Sequence, residues 1–218
     1  FMKTPRLGTV KTRMQPQLTP EQSLQLYRAM GRDLVAQHHQ QGAYRMFISY
    51  WPADGLEEMK AWLGKDGEYL LQTQGDLGKK MGDTFQERLS SGSEKVCIIG
   101  SDLPTIDTHL IERAFELLDS SDAVLGPTDD GGYYLIAMKA PNRIIFKDVA
   151  WSSEAVFDKT LENAAEGGLR IELLEQLSDI DSYTEVKDLW LAINNDQKQL
   201  RTQIPLTSAV LADIWSDQ

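Results

Sequence analysis

The chain has 218 residues, enough for a single α/β domain with a substantial core, and its 41% hydrophobic and 25% charged residues are an ordinary globular mix. With 33 acidic against 22 basic residues the formal charge is -11, a surface that repels nucleic acid and anionic membranes, so neither is expected as a partner. No apolar run reaches the length of a membrane span and no secretory signal is visible, which points to the cytoplasm. The lone Cys97, inside "KVCII", cannot form an internal disulfide and reads as an inert buried hydrophobe. The sequence opens on Phe1 rather than methionine, so a short upstream piece is expected.

In chain order, Phe1-Met2 reads as the tail of a strand, followed by a polar loop to Pro16. "TPEQSLQLYRAMGRDLVAQHHQQG" predicts a helix with Thr19 as cap, Pro20 in the first turn and Gly42 as stop. "YRMFISYW" predicts a strand and "DGLEEMKAWLG" a helix; "EYLLQTQ" and "DLGKKMGDTFQERLSSG" repeat the pair. "KVCIIG" reads as the most buried strand, before the amphipathic helix "DTHLIERAFELLDS". "DAVLGP" and "GYYLIAM" are two further strands. "SSEAVFDKTLENAAEGG" predicts a helix, "RIELLEQL" at least partly a strand, and "SYTEVKDLWLAINN" a helix. Strands alternating with helices imply a mainly parallel sheet with helices on both faces, in one domain spanning 1–218. In such sheets ligands sit beyond the carboxyl ends of the strands.

Four constellations fall at such ends. "FMKTPRLGTVKTR" carries Lys3, Arg6, Lys11 and Arg13, with no acid before Glu21. Lysine offers a point charge and arginine a fork matched to phosphate oxygens, with Gly8 letting the backbone turn. A diphosphate cradle and a solvated basic loop are both open, although the P-loop and dinucleotide spacings are absent. In "QTQGDLGKKM", Gly75 and Gly78 bracket Asp76 between a strand and a helix, where Asp76 reads as a helix cap in a loop that could line a pocket. In "IIGSDLP", Asp102 follows a buried strand and is not needed as a cap, because Asp107 can serve the next helix. A carboxylate there suits Mg²⁺ or Mn²⁺, which bind one or two carboxylates plus substrate phosphates. Finally, "GPTDDGGYYLI" offers Asp129, Asp130, Gly131 and Gly132, which also read as a plain hairpin turn. "DIDSYTEVKDL" places Asp181 as a second metal carboxylate before a capped helix. A haloacid-dehalogenase motif would need Thr or Val at Tyr183, and a calcium loop would need glycine at Thr184.

Taken in order, "FMKTPRLGTVKTR", "GDLGKKM", "IGSDLPTI", "GPTDDGGYYLI", "AWSSE" and "DIDSYTEVKDL" resemble a bacterial family of small transferases. That family is glycosyltransferase-like, or radical-SAM/selenodomain-associated, and carries a domain of unknown function. It is similar to nucleotide-diphospho-sugar transferases of GT-A fold and distantly to 2-phospholactate and molybdenum-cofactor guanylyltransferases. The resemblance covers Phe1 to about Leu189, leaving 190–218 as a helical extension. It implies a three-layer α/β/α sandwich with nucleotide at the carboxyl edge of the sheet. Lys3, Gly8, Lys11 and Arg13 match the family's phosphate-binding loop, with Gly75 and Asp76 assigned beside them. Asp102 and Asp181 match its metal carboxylates. Asp129 to Gly132 lie where relatives meet the acceptor, so Asp129 and Asp130 are the candidate bases, with Glu154 a distant third, and Gly131, Gly132 and Trp151 the acceptor contacts. Two departures stand out. A lone Asp102 replaces the GT-A Asp-x-Asp pair, and Lys79-Lys80 stand where the family commonly has arginine.

The expected activity is metal-assisted transfer of a sugar from a nucleoside-diphosphate sugar to a small hydroxyl acceptor. The alternatives are nucleotidyl transfer with release of pyrophosphate, or nucleotide binding without catalysis. The acidic, base-poor "TDDGG" segment favours a hydroxyl acceptor over a phosphorylated one. Oligomeric state is left open.

Overall fold

Short apolar runs alternating with amphipathic segments do form alternating strands and helices in the computed structural model, which describes residues 1–39, 43–195 and 198–216. In chain order these are β1 (Met2–Lys3), α1 (Pro20–His38), β2 (Ile48–Trp51), α2 (Leu56–Leu63), β3 (Tyr69–Leu71) and α3 (Leu77–Ser90). There follow β4 (Val96–Ile99), α4 (Thr108–Leu117), β5 (Ala123–Pro127), β6 (Tyr133–Met138) and α5 (Val156–Glu166). The chain continues with β7 (Ile171–Leu173), α6 (Tyr183–Asn194), α7 (Lys198–Gln203) and α8 (Pro205–Ser216). They divide into two compact units, both discontinuous in sequence.

The first unit comprises Phe1–Leu71, Ser101–Thr108 and Asp179–Gln218. Its sheet is parallel throughout, in the order β1-β2-β3. Helix α1 starts where its capping residues dictate. The Thr19 hydroxyl accepts from the Gln22 amide at 3.1 Å, and the Gln22 side chain accepts from the Thr19 amide at 2.9 Å. Leu26, Met30 and Leu34 recur at helical spacing and are buried. The helix ends at His38; the expected stop at Gly42 lies outside the described residues. Leu26 and Met30 share one core cluster with Met14 and Leu18 of the basic loop, Ile180, Val186, and Leu211 and Ile214 of α8. Residues expected to form an extension therefore supply part of this core. Helix α8 is capped from outside: Asp33 of α1, itself buried, accepts from the amides of Leu206 at 3.2 Å and Thr207 at 2.7 Å.

The second unit comprises Gln72–Gly100 and His109–Ser178. Its sheet runs β4-β6-β5-β7 and is mixed. Strand β6 is antiparallel to both β4 and β5, while β5 and β7 are parallel. Among the described residues, three of the five strand pairings are parallel. The β5–β6 pair is antiparallel because its short connection allows only a hairpin, and β4 meets the other edge of β6 running in the same direction as β5. Strand β4 is not the most buried: it is terminal in its sheet and only Ile98 is fully covered, whereas β5, flanked on both sides, is buried at every position. Cys97 lies in β4, and burial pushes its thiol well above the usual value, which keeps it protonated. Strands β2, β3 and β7 are shorter than their apolar runs, because pairing ends before hydrophobicity does. Among the described residues no helix is long and apolar enough to cross a membrane.

Candidate nucleotide-binding site

The basic loop is built, not loose. Its start is fastened to β2 by the Thr4 amide, which donates to the Trp51 carbonyl at 2.8 Å. Val10 and Met14 are buried and anchor its far side. Gly8 turns the chain at φ 72, and a short 3-10 helix covers Thr12–Met14. Lys11, just before it, also takes a left-handed conformation at φ 51, uncommon for a residue with a side chain.

The four cations of this loop have different fates. The Lys3 side chain is exposed, while its backbone amide donates to the Tyr27 hydroxyl at 2.9 Å. Arg6 is gripped by Glu58 at 2.6 Å and Asp54 at 3.1 Å; these bonds raise its pKa, and the hydrogen bond from Arg6 lowers that of Glu58. Arg13 keeps 63% of its side chain exposed and donates to Asp181 Oδ2 at 2.6 Å. Lys11 is the opposite case, with only 2% of its side chain exposed. Its ammonium lies 2.5 Å from Asp102 Oδ1, 2.5 Å from the Ile180 carbonyl oxygen and 3.4 Å from Asp181 Oδ1.

The first unit thus brings together Lys11, Arg13, Asp102 and Asp181, which lie far apart in sequence. Two backbone bonds close the arrangement: the Ile180 amide donates to the Asp102 carbonyl at 2.8 Å, and the Asp181 amide donates to Glu185 Oε2 at 2.7 Å. The segment carrying Asp102 is held along its length. Gln37 Nε2 donates to the Pro104 carbonyl at 2.5 Å, Gln203 Nε2 to the Thr105 carbonyl at 2.8 Å, and His38 Nε2 meets the Ile106 carbonyl at 2.9 Å. Gln203 also donates to Gln37 Oε1 at 3.0 Å. Burial lowers the pKa of His38, and its neutral Nε2–H tautomer satisfies Ile106 while Nδ1 accepts from Tyr44. Burial, aided by the charge of Asp102, pushes Tyr27 up to about 12.

A divalent ion fits this donor set poorly. Mg²⁺ needs carboxylate oxygens directly on it at about 2.0–2.1 Å, whereas Asp102 and Asp181 converge on an ammonium. Among the described residues no three His, Cys, Asp or Glu side chains gather into a metal-binding group.

The second unit holds the remaining expected residues. Asp76 is the N-cap of α3 and accepts from the Lys79 amide at 2.8 Å, with Gly75 preceding it at φ 132. Lys79 turns to Asp83, whose carboxylate lies well below the usual range because Lys79, Thr73 and Arg143 all donate to it. Asp129 to Gly132 form the β5–β6 hairpin turn, closed by the Thr128 amide on the Gly132 carbonyl at 3.1 Å. Asp130 Oδ1 accepts from the Thr128 hydroxyl at 2.6 Å and the Gly132 amide at 3.0 Å. Asp129 accepts from Gln176 Nε2 at 2.6 Å and from the Ser178 hydroxyl. Gly131 has φ 83, and a Cβ there would lie 2.1 Å from the Glu154 carbonyl oxygen, so no other residue fits without movement. Trp151 packs over Gly78 at the start of α3 and against Phe146.

Sequence reasoning missed Tyr27, Gln37, His38, Glu185 and Gln203, which position the site without a motif. Only Glu185 had a legible signal, the Ser-x-x-Glu capping box completed with Ser182. A cavity of about 520 Å³ lined by Gln37, Asp107, Gln199, Thr202 and Gln203 contains none of the expected site residues.

Residues 34–153 match a family described as uncharacterized proteins conserved in bacteria (DUF2064). No curated protein gives a significant match. A candidate nucleotide-diphospho-sugar transferase of Desulfovibrio desulfuricans G20 superposes with a TM-score of 0.86 at 28% identity, over 98% of this chain and 95% of its own. A 4-diphosphocytidyl-2C-methyl-D-erythritol synthase of Anaerococcus prevotii DSM 20548 gives 0.52 at 13% identity, over 85% and 86%. CMP:2-keto-3-deoxy-manno-octonic acid synthetase, solved with CTP, gives 0.50 at 9% identity, over 80% and 89%. The last two share the fold alone. The α/β fold of nucleotide-diphospho-sugar transferase type and the family resemblance are both borne out.

Proposed function

As this chain belongs to the DUF2064 family of bacterial proteins, we propose that it is a transferase that moves a sugar from a nucleoside-diphosphate sugar to a small hydroxyl-bearing acceptor. The observation that carries this reading is Arg13. It sits in an anchored Gly8–Met14 loop with most of its guanidinium open to solvent, a fork suited to diphosphate oxygens. The likeness to the Desulfovibrio protein, whose name gives that donor class, supports the same assignment.

In the proposed reaction the acceptor oxygen attacks the anomeric carbon. The bond from that carbon to the diphosphate oxygen breaks, and the nucleoside diphosphate leaves with the bonding pair. The acceptor proton passes to a carboxylate, for which Asp129 and Asp130 are the candidates; both are exposed. Arg13 meets the charge that grows on the leaving diphosphate. Lys3 is assigned to the nucleotide, as is the turn at Gly75 and Asp76, while Gly131, Gly132 and Trp151 are assigned to the acceptor. The test is a thermal-shift series with UDP-, GDP-, ADP- and TDP-sugars against CTP, GTP and UTP, each with Mn²⁺ and with EDTA. A sugar nucleotide is expected to be the strongest stabiliser and to be turned over. A triphosphate that stabilises most and releases pyrophosphate would establish nucleotidyl transfer instead, and stabilisation without turnover of any donor would leave a binding protein.

A further inference from the structure

We infer that Lys11 is the built-in counter-ion of Asp102 and Asp181, and that while it is in place this carboxylate pair takes no divalent cation. An ammonium has three N–H donors. Those of Lys11 have three acceptors in reach: Asp102 Oδ1 and the Ile180 carbonyl at 2.5 Å and Asp181 Oδ1 at 3.4 Å. With 2% of its side chain exposed, it has almost no water to fall back on. A buried cation is tolerated only when it is paired and hydrogen-bonded, and here the pairing is supplied by both expected metal ligands.

The surroundings hold it there. Its left-handed backbone and the buried neighbours Val10 and Met14 fix the root of the side chain. The backbone that carries each carboxylate is held in turn, because the Asp102 carbonyl accepts from Ile180 and the Asp181 amide donates to Glu185. Arg13 on Asp181 adds a second cation, so each of the two carboxylates that would face Mg²⁺ or Mn²⁺ is already paired, while the nearby Glu185 carboxylate is engaged by the Asp181 and Ser182 amides. A metal entering between Asp102 and Asp181 would have to expel a nearly inaccessible ammonium. The same geometry holds a latent metal site, since removing the ammonium alone leaves two carboxylate oxygens, Asp102 Oδ1 and Asp181 Oδ1, facing one point.

Calorimetric titration with Mn²⁺, and no nucleotide, tests this independently of the proposed transfer reaction. Wild-type protein is expected to show no Mn²⁺ binding that Asp102→Asn removes. Lys11→Met, similar in length but neutral, is expected to gain at least roughly tenfold in Mn²⁺ affinity, about 1.4 kcal/mol, and Lys11→Met/Asp102→Asn to lose that gain. Wild-type binding weakened by Asp102→Asn would overturn the inference. So would a folded Lys11→Met protein with no gain. Should Lys11→Met fail to fold, the comparison of wild type with Asp102→Asn decides alone.

Discussion

Arg6 and Arg13 belong to one basic loop, yet the fold uses them differently. Arg6 is committed to Glu58 and Asp54, while Arg13 leaves most of its fork in solvent. Arg13→Ala is therefore expected to weaken nucleoside-diphosphate binding by roughly 1–3 kcal/mol, and Arg6→Ala to leave it within error. Calorimetry giving the reverse order would remove Arg13 from the phosphate site. Gly131 provides a second prediction. Its φ of 83 and the 2.1 Å approach of the Glu154 oxygen leave no room for a methyl group. Gly131→Ala should destabilise by at least about 2 kcal/mol, read as a lower midpoint in urea, and an unchanged midpoint would contradict the turn geometry. At this scale the sequence was readable for what each residue is, not for what it meets. "DDGG" announced a turn and two carboxylates, but Gln176 and Ser178, which hold Asp129, carry no mark of that task.

The segment 101–108 shows the same limit for elements. Its proline and its position after a strand were legible; its fastening was not, because the Asp102, Pro104, Thr105 and Ile106 carbonyls are met from Ile180, Gln37, Gln203 and His38. Gln203→Leu removes two of the amide bonds that Gln203 makes, to Thr105 and Gln37. Amide hydrogen exchange at residues 105–107 should then quicken, by the equivalent of about 1 kcal/mol per lost bond, and unchanged protection would show that α7 does not hold the segment. His38 adds a pH dependence whose sign is fixed. Its folded pKa lies below the ordinary 6.5, so its contribution is complete above pH 6.5 and is lost as pH falls through the lower folded value. His38→Gln should flatten that part of the pH–stability curve, and an identical acid slope in the variant would exclude His38 as its source. Helix starts were the best-read elements, since Thr19 with Gln22 and Ser182 with Glu185 are local signals. Strand ends were read too long, since hydrophobicity does not show where a neighbouring strand stops.

For the whole molecule, the order of motifs was enough to identify fold and family, but not the division into two interleaved units, which depends on packing between distant segments. The resemblance in sequence runs only to about Leu189, yet Ile193, Ile204, Leu211 and Ile214 are buried with Leu26 and Met30. Truncation after Asn195 should therefore cost the cooperative fold of the first unit. It exposes that cluster and strips Asp33 of the two α8 amides that satisfy it. Circular dichroism and denaturant unfolding of the truncated chain would check this, and a wild-type midpoint would show that α8 is dispensable.

Interleaving also sets a timetable for synthesis. A ribosome completes every residue of the second unit by Ser178, whereas the first unit still lacks Asp179 onward. Compact units fold as they emerge, so the second unit has all its residues available before the first does. Through that interval Lys11 and Asp102 are already made but Ile180 and Asp181 are not, and the lysine's three-acceptor cage stays open. The carboxylate-bearing centre is thus among the last features of the nascent protein to mature, a delay that stalled ribosome-bound chains with Asp181 held just inside or just outside the exit tunnel would reveal.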